Sequence, residues 1–247
     1  MAHSAYLWVD GQSGVDAPGW SFFHYQDEVR DTRMLLMRFT GCRVRAAALN
    51  SGRVFSGMAK YYTADSANGL RPFCQIIQGN YEPKKQELAT FLTQMYPDGL
   101  SKHGHNYLYN PGPLMDEKNG DGQALLIGLV FELVRRSHFP EKPSRYQSLF
   151  ACQHISEVKQ FREQLADERE EDEIRTAPIY EVFTDEAVHC GDMRLLSDDC
   201  PVLELYRRAY LYWSGEPAPV REGKEEEKPF WELLIPLPVL IGRQISE

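Results

Sequence analysis

Residues 230–241 read Phe230-Trp231-Glu232-Leu233-Leu234-Ile235-Pro236-Leu237-Pro238-Val239-Leu240-Ile241. This stretch holds one predicted strand and the start of a second. Pro236 and Pro238 mark the bend between the strands, because proline cannot donate a hydrogen bond to a sheet ladder. The second strand is predicted over 239–245. Glu232 is the one charged residue in the first strand. Because an unpaired buried carboxylate is very costly, we predict that Glu232 either is paired or lines a cleft.

The composition is typical of a soluble globular protein, with 43% hydrophobic and 26% charged residues. At 247 residues the chain fits a single domain, 1–247. The N-terminal region lacks a signal-peptide pattern, and no apolar run reaches the roughly 18–20 residues of a membrane span. Five scattered cysteines without a CxxC pair suit a reducing compartment. We therefore expect a cytoplasmic protein with no membrane association. Its net charge of −9 argues against nonspecific binding to nucleic acid.

Strands and helices alternate irregularly along the chain, which indicates the α+β class. Apolar spacing predicts helices over 82–95, 122–136 and 201–213, and a further helix capped by Ser156. Strands are predicted over 147–152 and, with alternation, 179–183. Aromatic runs at 6–9 and 20–25 predict N-terminal strands. The segment 101–122 reads as a loop long enough to cover an active site, and 216–229 as a flexible linker.

A second polar feature stands at the mouth of the strand predicted over 147–152. Arg145 and Ser148 enter a stretch, Pro143-Ser144-Arg145-Tyr146-Gln147-Ser148-Leu149-Phe150-Ala151, whose remainder is largely apolar. Polar side chains in this position often point into a cleft. They also serve to satisfy local backbone groups or a neighbouring carboxylate. Both interpretations of Arg145 and Ser148 stay open.

The strand that carries Glu232 resembles the catalytic-glutamate strand of ADP-ribosyltransferases, which commonly reads Glu-x-Glu-Val-Leu-Ile/Phe-Pro-Pro. The run Ser148-Leu149-Phe150-Ala151 is similar to the serine-bearing strand that precedes it in that superfamily. The chain is also similar to a little-characterised family of bacterial and phage proteins. Three blocks carry this likeness over roughly 120–245, namely Glu132-Leu133-Val134-Arg135, the segment 139–151, and Tyr212-Trp213-Ser214-Gly215.

The resemblance implies a split, two-sheet β core with peripheral helices and an NAD site between the sheets. Glu232 would then hydrogen-bond the ribose 2′-hydroxyl and help orient the attacking nucleophile. A carboxylate suits this position, because cleavage of the nicotinamide–ribose bond passes through an oxocarbenium-like state. Ser148 would steady the strand or the glutamate, Arg145 would contact the dinucleotide, and an aromatic ring would stack on nicotinamide. The candidates for that ring are Tyr61, Tyr62 and Tyr146.

Two departures from the superfamily pattern matter. Phe230 stands where arginine-modifying members carry a second glutamate, so transfer to arginine is disfavoured. The Arg or His that holds the dinucleotide on the first strand is His24 if that strand is 20–25, but the anchor is lost if the strand is 6–9.

Other motifs are weak. The run His103-Gly104-His105 lacks further ligands at metal-binding spacing and reads as a surface loop, so no metal site is predicted.

The resemblance therefore implies an NAD-dependent ADP-ribosyltransferase, or an enzyme that hydrolyses NAD, with NAD as substrate. Its macromolecular acceptor, a protein or a nucleic acid, is left open. The alternative from a different class is a catalytically silent protein-interaction module with the same fold.

Overall fold

The protein combines helices with two antiparallel sheets in an α+β fold. The computed structural model describes residues 55, 57–66, 69–80, 85–109, 123–169, 171–220 and 228–245. The strands of these ranges are β1 (Ala59–Ala64), β2 (Gln75–Ile76), β3 (Ser148–Ala151), β4 (Ile179–Thr184), β5 (His189–Asp192), β6 (Trp231–Pro236) and β7 (Val239–Ile245). The helices are α1 (Gln86–Met95), α2 (Lys102–Leu108), α3 (Gln123–His138), α4 (Ile155–Arg169) and α5 (Val202–Ser214). The predicted N-terminal strands, with His24, lie outside the described residues.

The short connection between β6 and β7 joins the two sheets, since β6 belongs to one and β7 to the other. One sheet has the strand order β1-β4-β7-β2, and the other has the order β3-β6-β5. The bend falls at Leu237-Pro238, as predicted from the two prolines. The α+β class and this pair of strands are therefore confirmed.

Side chains on β6 alternate between two apolar layers. Leu233 and Ile235 share one cluster with Val182 of β4 and Val239 of β7, so they pack between the sheets. Leu234 faces the other way and packs with residues of α3 and α5 such as Phe131. Because Glu232 is two positions from Leu234, its side chain lies on the helix-facing side of β6.

The segment predicted as a loop over 101–122 contains helix α2, so that prediction was wrong for Lys102–Leu108. The Ser101 hydroxyl caps the helix by accepting the Gly104 N–H at 3.1 Å. Gly104 lies directly against the backbone of Tyr146, where any Cβ would overlap it. His103 is buried rather than in a surface loop. Tertiary contact with Tyr146 thus outweighs the poor helix propensity of glycine, histidine and asparagine.

Two smaller differences from the prediction, in α4 and β4, have identifiable causes, and the predicted end of α5 is confirmed. Helix α4 begins at Ile155, and the backbone N–H of His154 donates to the Glu157 carboxylate (2.9 Å), so Ser156 lies inside the first turn and is not its cap. Strand β4 is buried on both faces and shows no alternation, because helix α4 covers one side and the second sheet the other. Helix α5 ends as predicted, with Gly215 in the left-handed conformation (φ 78°).

Candidate functional site

Glu232 lies at the second position of β6 and is 1% exposed. Its neighbour across the ladder on β5 is Gly191, which leaves room above the strand for the ring of Tyr212 from α5. A side chain at position 191 would overlap that ring. The glycine therefore lets α5 approach the sheet closely, and the approach brings the Tyr212 hydroxyl to the carboxylate.

The Glu232 carboxylate is paired with Arg145, the other polar residue that the sequence singles out. The Arg145 Nη1 donates both to Glu232 Oε1 and to the Tyr212 hydroxyl, the latter at 2.7 Å. The Tyr212 hydroxyl in turn donates to the same Oε1 at 2.6 Å. Arg145 is 5% exposed, so the three groups form a buried triad. Of the two outcomes predicted for Glu232, paired or lining a cleft, the structure shows the paired one.

The electrostatics of the triad keep Arg145 and Tyr212 in their hydrogen-bonding states. Burial disfavours the charged guanidinium, but the Glu232 carboxylate outweighs this effect and the pKa of Arg145 is raised. Burial, reinforced by the adjacent carboxylate, raises the pKa of Tyr212 well above its usual value. Tyr212 therefore stays protonated and donates, while Arg145 stays charged. Glu232 Oε2 has no hydrogen-bond partner in the described part of the chain.

His189 supports the triad from strand β5. Its Nε2 lies 3.0 Å from the backbone oxygen of Tyr212, and its ring stacks on Trp213 with the centroids 4.9 Å apart. Burial lowers the pKa of His189 to about 4. The neutral ring therefore donates to the carbonyl and fixes the end of helix α5 against the sheet.

A second buried network centres on Glu132 of α3. Its two carboxylate oxygens accept from Arg135 (2.9 and 3.0 Å), Arg136 (2.9 Å), Ser144 (2.9 Å) and Tyr96 (3.2 Å). Burial opposes ionisation, yet the arginine and serine donors prevail and lower the pKa of Glu132. Because Ser144 immediately precedes Arg145, this network sets the position of the turn that presents Arg145.

Asp192, at the end of β5, holds both ends of the segment predicted as a linker over 216–229. Its buried carboxylate accepts the backbone N–H groups of Ala218 (2.9 Å) and Phe230 (3.1 Å). It also pairs with the Arg194 guanidinium at 2.6 Å. The described ends of the segment are therefore fixed to the sheet rather than free.

A small cavity lies beside Arg145, between α2 and α3. It is lined by Arg145 and Tyr107 together with apolar side chains such as Ile127, Phe131 and Leu196. Its volume of about 10 Å³ is enough for about one water molecule. A dinucleotide needs a far larger space, on the order of several hundred Å³.

The other predicted site residues do not gather around Glu232. The Ser148 hydroxyl donates to the Ser144 backbone oxygen at 2.7 Å, and in the ladder Ser148 is opposite Pro236, four positions from Glu232. Ser148 thus steadies the turn before β3. Tyr146 is buried under α2, where burial raises its pKa.

Tyr61 and Tyr62 belong to β1, in the sheet that lacks Glu232. Tyr61 packs with the cluster between the sheets, and Tyr62 lies on the opposite face of its strand. The structure therefore brings Arg145 to Glu232, and places Ser148, Tyr146, Tyr61 and Tyr62 elsewhere.

Tyr212 and Glu132 are the central residues that sequence reasoning gave no role. Both stand in blocks that resemble the bacterial and phage family, Tyr212-Trp213-Ser214-Gly215 and Glu132-Leu133-Val134-Arg135. Trp213 of the first block donates its indole N–H to the Phe131 backbone oxygen at 2.7 Å. The position of Tyr212 and Glu132 in these blocks was therefore the signal that could have drawn attention to them. The blocks do not indicate which side chains the two residues contact.

Comparison with known proteins gives a family without a known activity. The chain belongs to the DUF2441 family, a protein family of unknown function, whose model matches residues 66–246. No curated protein matches the chain. Across the described ranges, none of the helices has the length and apolar character needed to cross a membrane.

Proposed function

We propose that this chain is a catalytically silent protein-interaction module with an ADP-ribosyltransferase-like arrangement of its two sheets. The observation that carries the proposal is the orientation of Glu232. Its side chain faces the helices, and one of its oxygens is engaged by Arg145 and Tyr212. A carboxylate that stabilises an oxocarbenium-like ribose must reach the sugar, and such contact requires an accessible oxygen.

The packing between the sheets supports the same proposal. The space in which the resemblance implies NAD is filled by apolar side chains from both sheets, among them Leu233, Ile235 and Val182. Burying a charged dinucleotide there would displace close-packed core residues. Within the described ranges, the polar network of Glu232 therefore acts as a structural link between β6, α5 and the turn at Arg145.

An exposed apolar surface supplies a place for a partner. Leu126, Leu129 and Leu133 are exposed on α3, and Leu203, Tyr206 and Tyr210 are exposed on α5. We call these six residues the α3–α5 surface. The two helices pack together, and His138 at the end of α3 contacts Tyr206, with its Nε2 2.5 Å from the hydroxyl. Each helix carries three exposed apolar side chains spaced three and four residues apart, and exposed apolar patches mark interaction sites.

The first test asks whether the protein binds and cleaves NAD. A ligand that binds the native state raises the melting temperature by mass action. We expect no shift with millimolar NAD and no release of nicotinamide. We also expect Glu232→Gln to lower stability while Glu163→Gln, at an exposed glutamate, leaves it unchanged. Saturable NAD stabilisation with nicotinamide release by the wild type would overturn the proposal.

The second candidate is an NAD-dependent ADP-ribosyltransferase or NAD glycohydrolase acting in the cytoplasm. It is favoured by Glu232 Oε2, which has no hydrogen-bond partner among the described residues. Transfer would go to a protein or nucleic-acid acceptor other than arginine, because Phe230 replaces the second glutamate. This candidate predicts nicotinamide release that Glu232→Gln abolishes and Glu163→Gln preserves.

A further inference from the structure

Helix α5 carries an exposed apolar seam, in which Tyr206 and Tyr210 also contact His138 at the end of α3. Leu203, Tyr206 and Tyr210 follow one another at intervals of three and four residues. Leu203 is 82% exposed, which is unusual for a leucine in the body of a helix. The 3–4 spacing is that of a helix that packs lengthwise against another helix.

Charges of opposite sign flank this seam. Glu204 precedes Arg207 by one helical turn, and the Arg207 guanidinium donates to the Glu204 carboxylate at 2.7 and 2.8 Å. If the helix is reversed end for end, the acidic position and the basic position exchange places. A second copy of the same helix, laid antiparallel, therefore presents the complementary charges.

We propose that two copies of this chain pair through α5, with the helices antiparallel about a twofold axis between positions 206 and 207. Leu203 of each copy then lies opposite Tyr210 of the other. Glu204 and Arg207 of different copies are offset by two residues, about 3 Å along the axis, which is within side-chain reach. Such an isologous contact is the commonest symmetry of soluble oligomers. The inference rests on the proposed interaction function and names its partner.

The test measures molar mass by light scattering and sedimentation over a range of concentrations. Wild-type protein is expected to dimerise reversibly. Leu203→Lys should weaken the dimer by about tenfold or more, because it places two like charges in the seam. Since Leu203 is so exposed, the fold of this variant should be retained, and circular dichroism checks it.

Charge reversal separates pairing between copies from pairing within one helix. Glu204→Arg gives a wholly basic flank and Arg207→Glu a wholly acidic one, so each variant alone should be monomeric. An equimolar mixture of the two should form a heterodimer, because opposite flanks then meet. Asp172→Arg, which reverses the acidic member of an exposed pair with Arg175, is the matched control and should dimerise like the wild type.

A wild type that stays monomeric at the highest concentration would overturn the proposal. So would single charge variants that dimerise as well as the wild type, or a mixture that stays monomeric. These outcomes leave the absence of NAD turnover unchanged, so failure of self-pairing is distinguishable from failure of the proposed function.

Discussion

Removing one partner of the Arg145–Glu232 pair is expected to destabilise the protein by about 3–5 kcal/mol, because the other charge remains buried without compensation. Among the described residues, Glu232→Leu leaves the Arg145 guanidinium with the Tyr212 hydroxyl as its one acceptor. In the same part of the chain, Arg145→Met leaves the carboxylate with the Tyr212 hydroxyl as its one donor. Domain stabilities are about 5–15 kcal/mol, so either change removes a large share of the total.

The double variant Arg145→Met/Glu232→Leu is expected to be more stable than either single variant. It removes both charges and replaces them with apolar side chains of similar length, which by itself is often neutral or stabilising. The buried Tyr212 hydroxyl then loses both hydrogen-bond partners, which costs about 1–3 kcal/mol. The two single effects therefore do not add, and the cycle should show a coupling of several kcal/mol. Urea unfolding followed by tryptophan fluorescence measures it, since Trp213 lies in the core beside Tyr212.

The control is Glu163→Leu, which removes an exposed partner of Arg175 and should leave the urea midpoint unchanged. If a single variant does not fold, recovery of folding in the double variant still reports the coupling. The reasoning fails if Glu232→Leu unfolds at the wild-type urea concentration, or if the two single effects simply add.

Three further outcomes follow from the same region. Burial lowers the pKa of His189 to about 4, whereas an unfolded histidine has about 6.5, so the unfolded chain takes up its proton first as the pH falls. This difference should lower the free energy of unfolding by about 2 kcal/mol between pH 7 and 5. Urea unfolding at the two pH values measures the drop, and a smaller drop in His189→Phe would assign it to His189. Gly191→Ala should cost about 1–3 kcal/mol by pushing on the Tyr212 ring, while Gly69→Ala, which meets no atoms nearby, should be nearly neutral in thermal melts. Asp192→Asn should lower the melting temperature, because the carboxylate accepts several backbone N–H groups, and amide exchange near its partners should quicken if this is correct.

Local sequence patterns were sufficient to predict strands β6 and β7, the bend between them, and helix α5. In residues 230–245 the prolines and the apolar runs act over short distances, and the structure follows them. Helix α5 has an amphipathic pattern and a terminal glycine, both of which are local signals. The sequence also required a partner or a cleft for Glu232, and the partner exists.

The identity of that partner was beyond local reasoning. Arg145 and Glu232 are 87 positions apart, and their contact depends on how β6, α5 and the turn before β3 assemble. Helix α2 was missed for a related reason, since its residues have poor helix propensity and gain stability only against Tyr146. The NAD site stays a prediction, because the described candidate residues are spread over strands of both sheets and the turn that precedes β3.

The three sequence blocks that resemble the bacterial and phage family are joined in the structure by one network of buried hydrogen bonds. Glu132 of the first block holds Ser144 of the second, whose neighbour Arg145 binds both Glu232 and Tyr212 of the third. Each of these polar groups is buried, so each needs its partner, and loss of one leaves the next uncompensated. This series of hydrogen bonds fixes how α3, α5 and β6 pack together, and it does not require a bound substrate. The residues of these blocks therefore have a structural role in this fold, and evidence for catalysis has to come from NAD turnover itself.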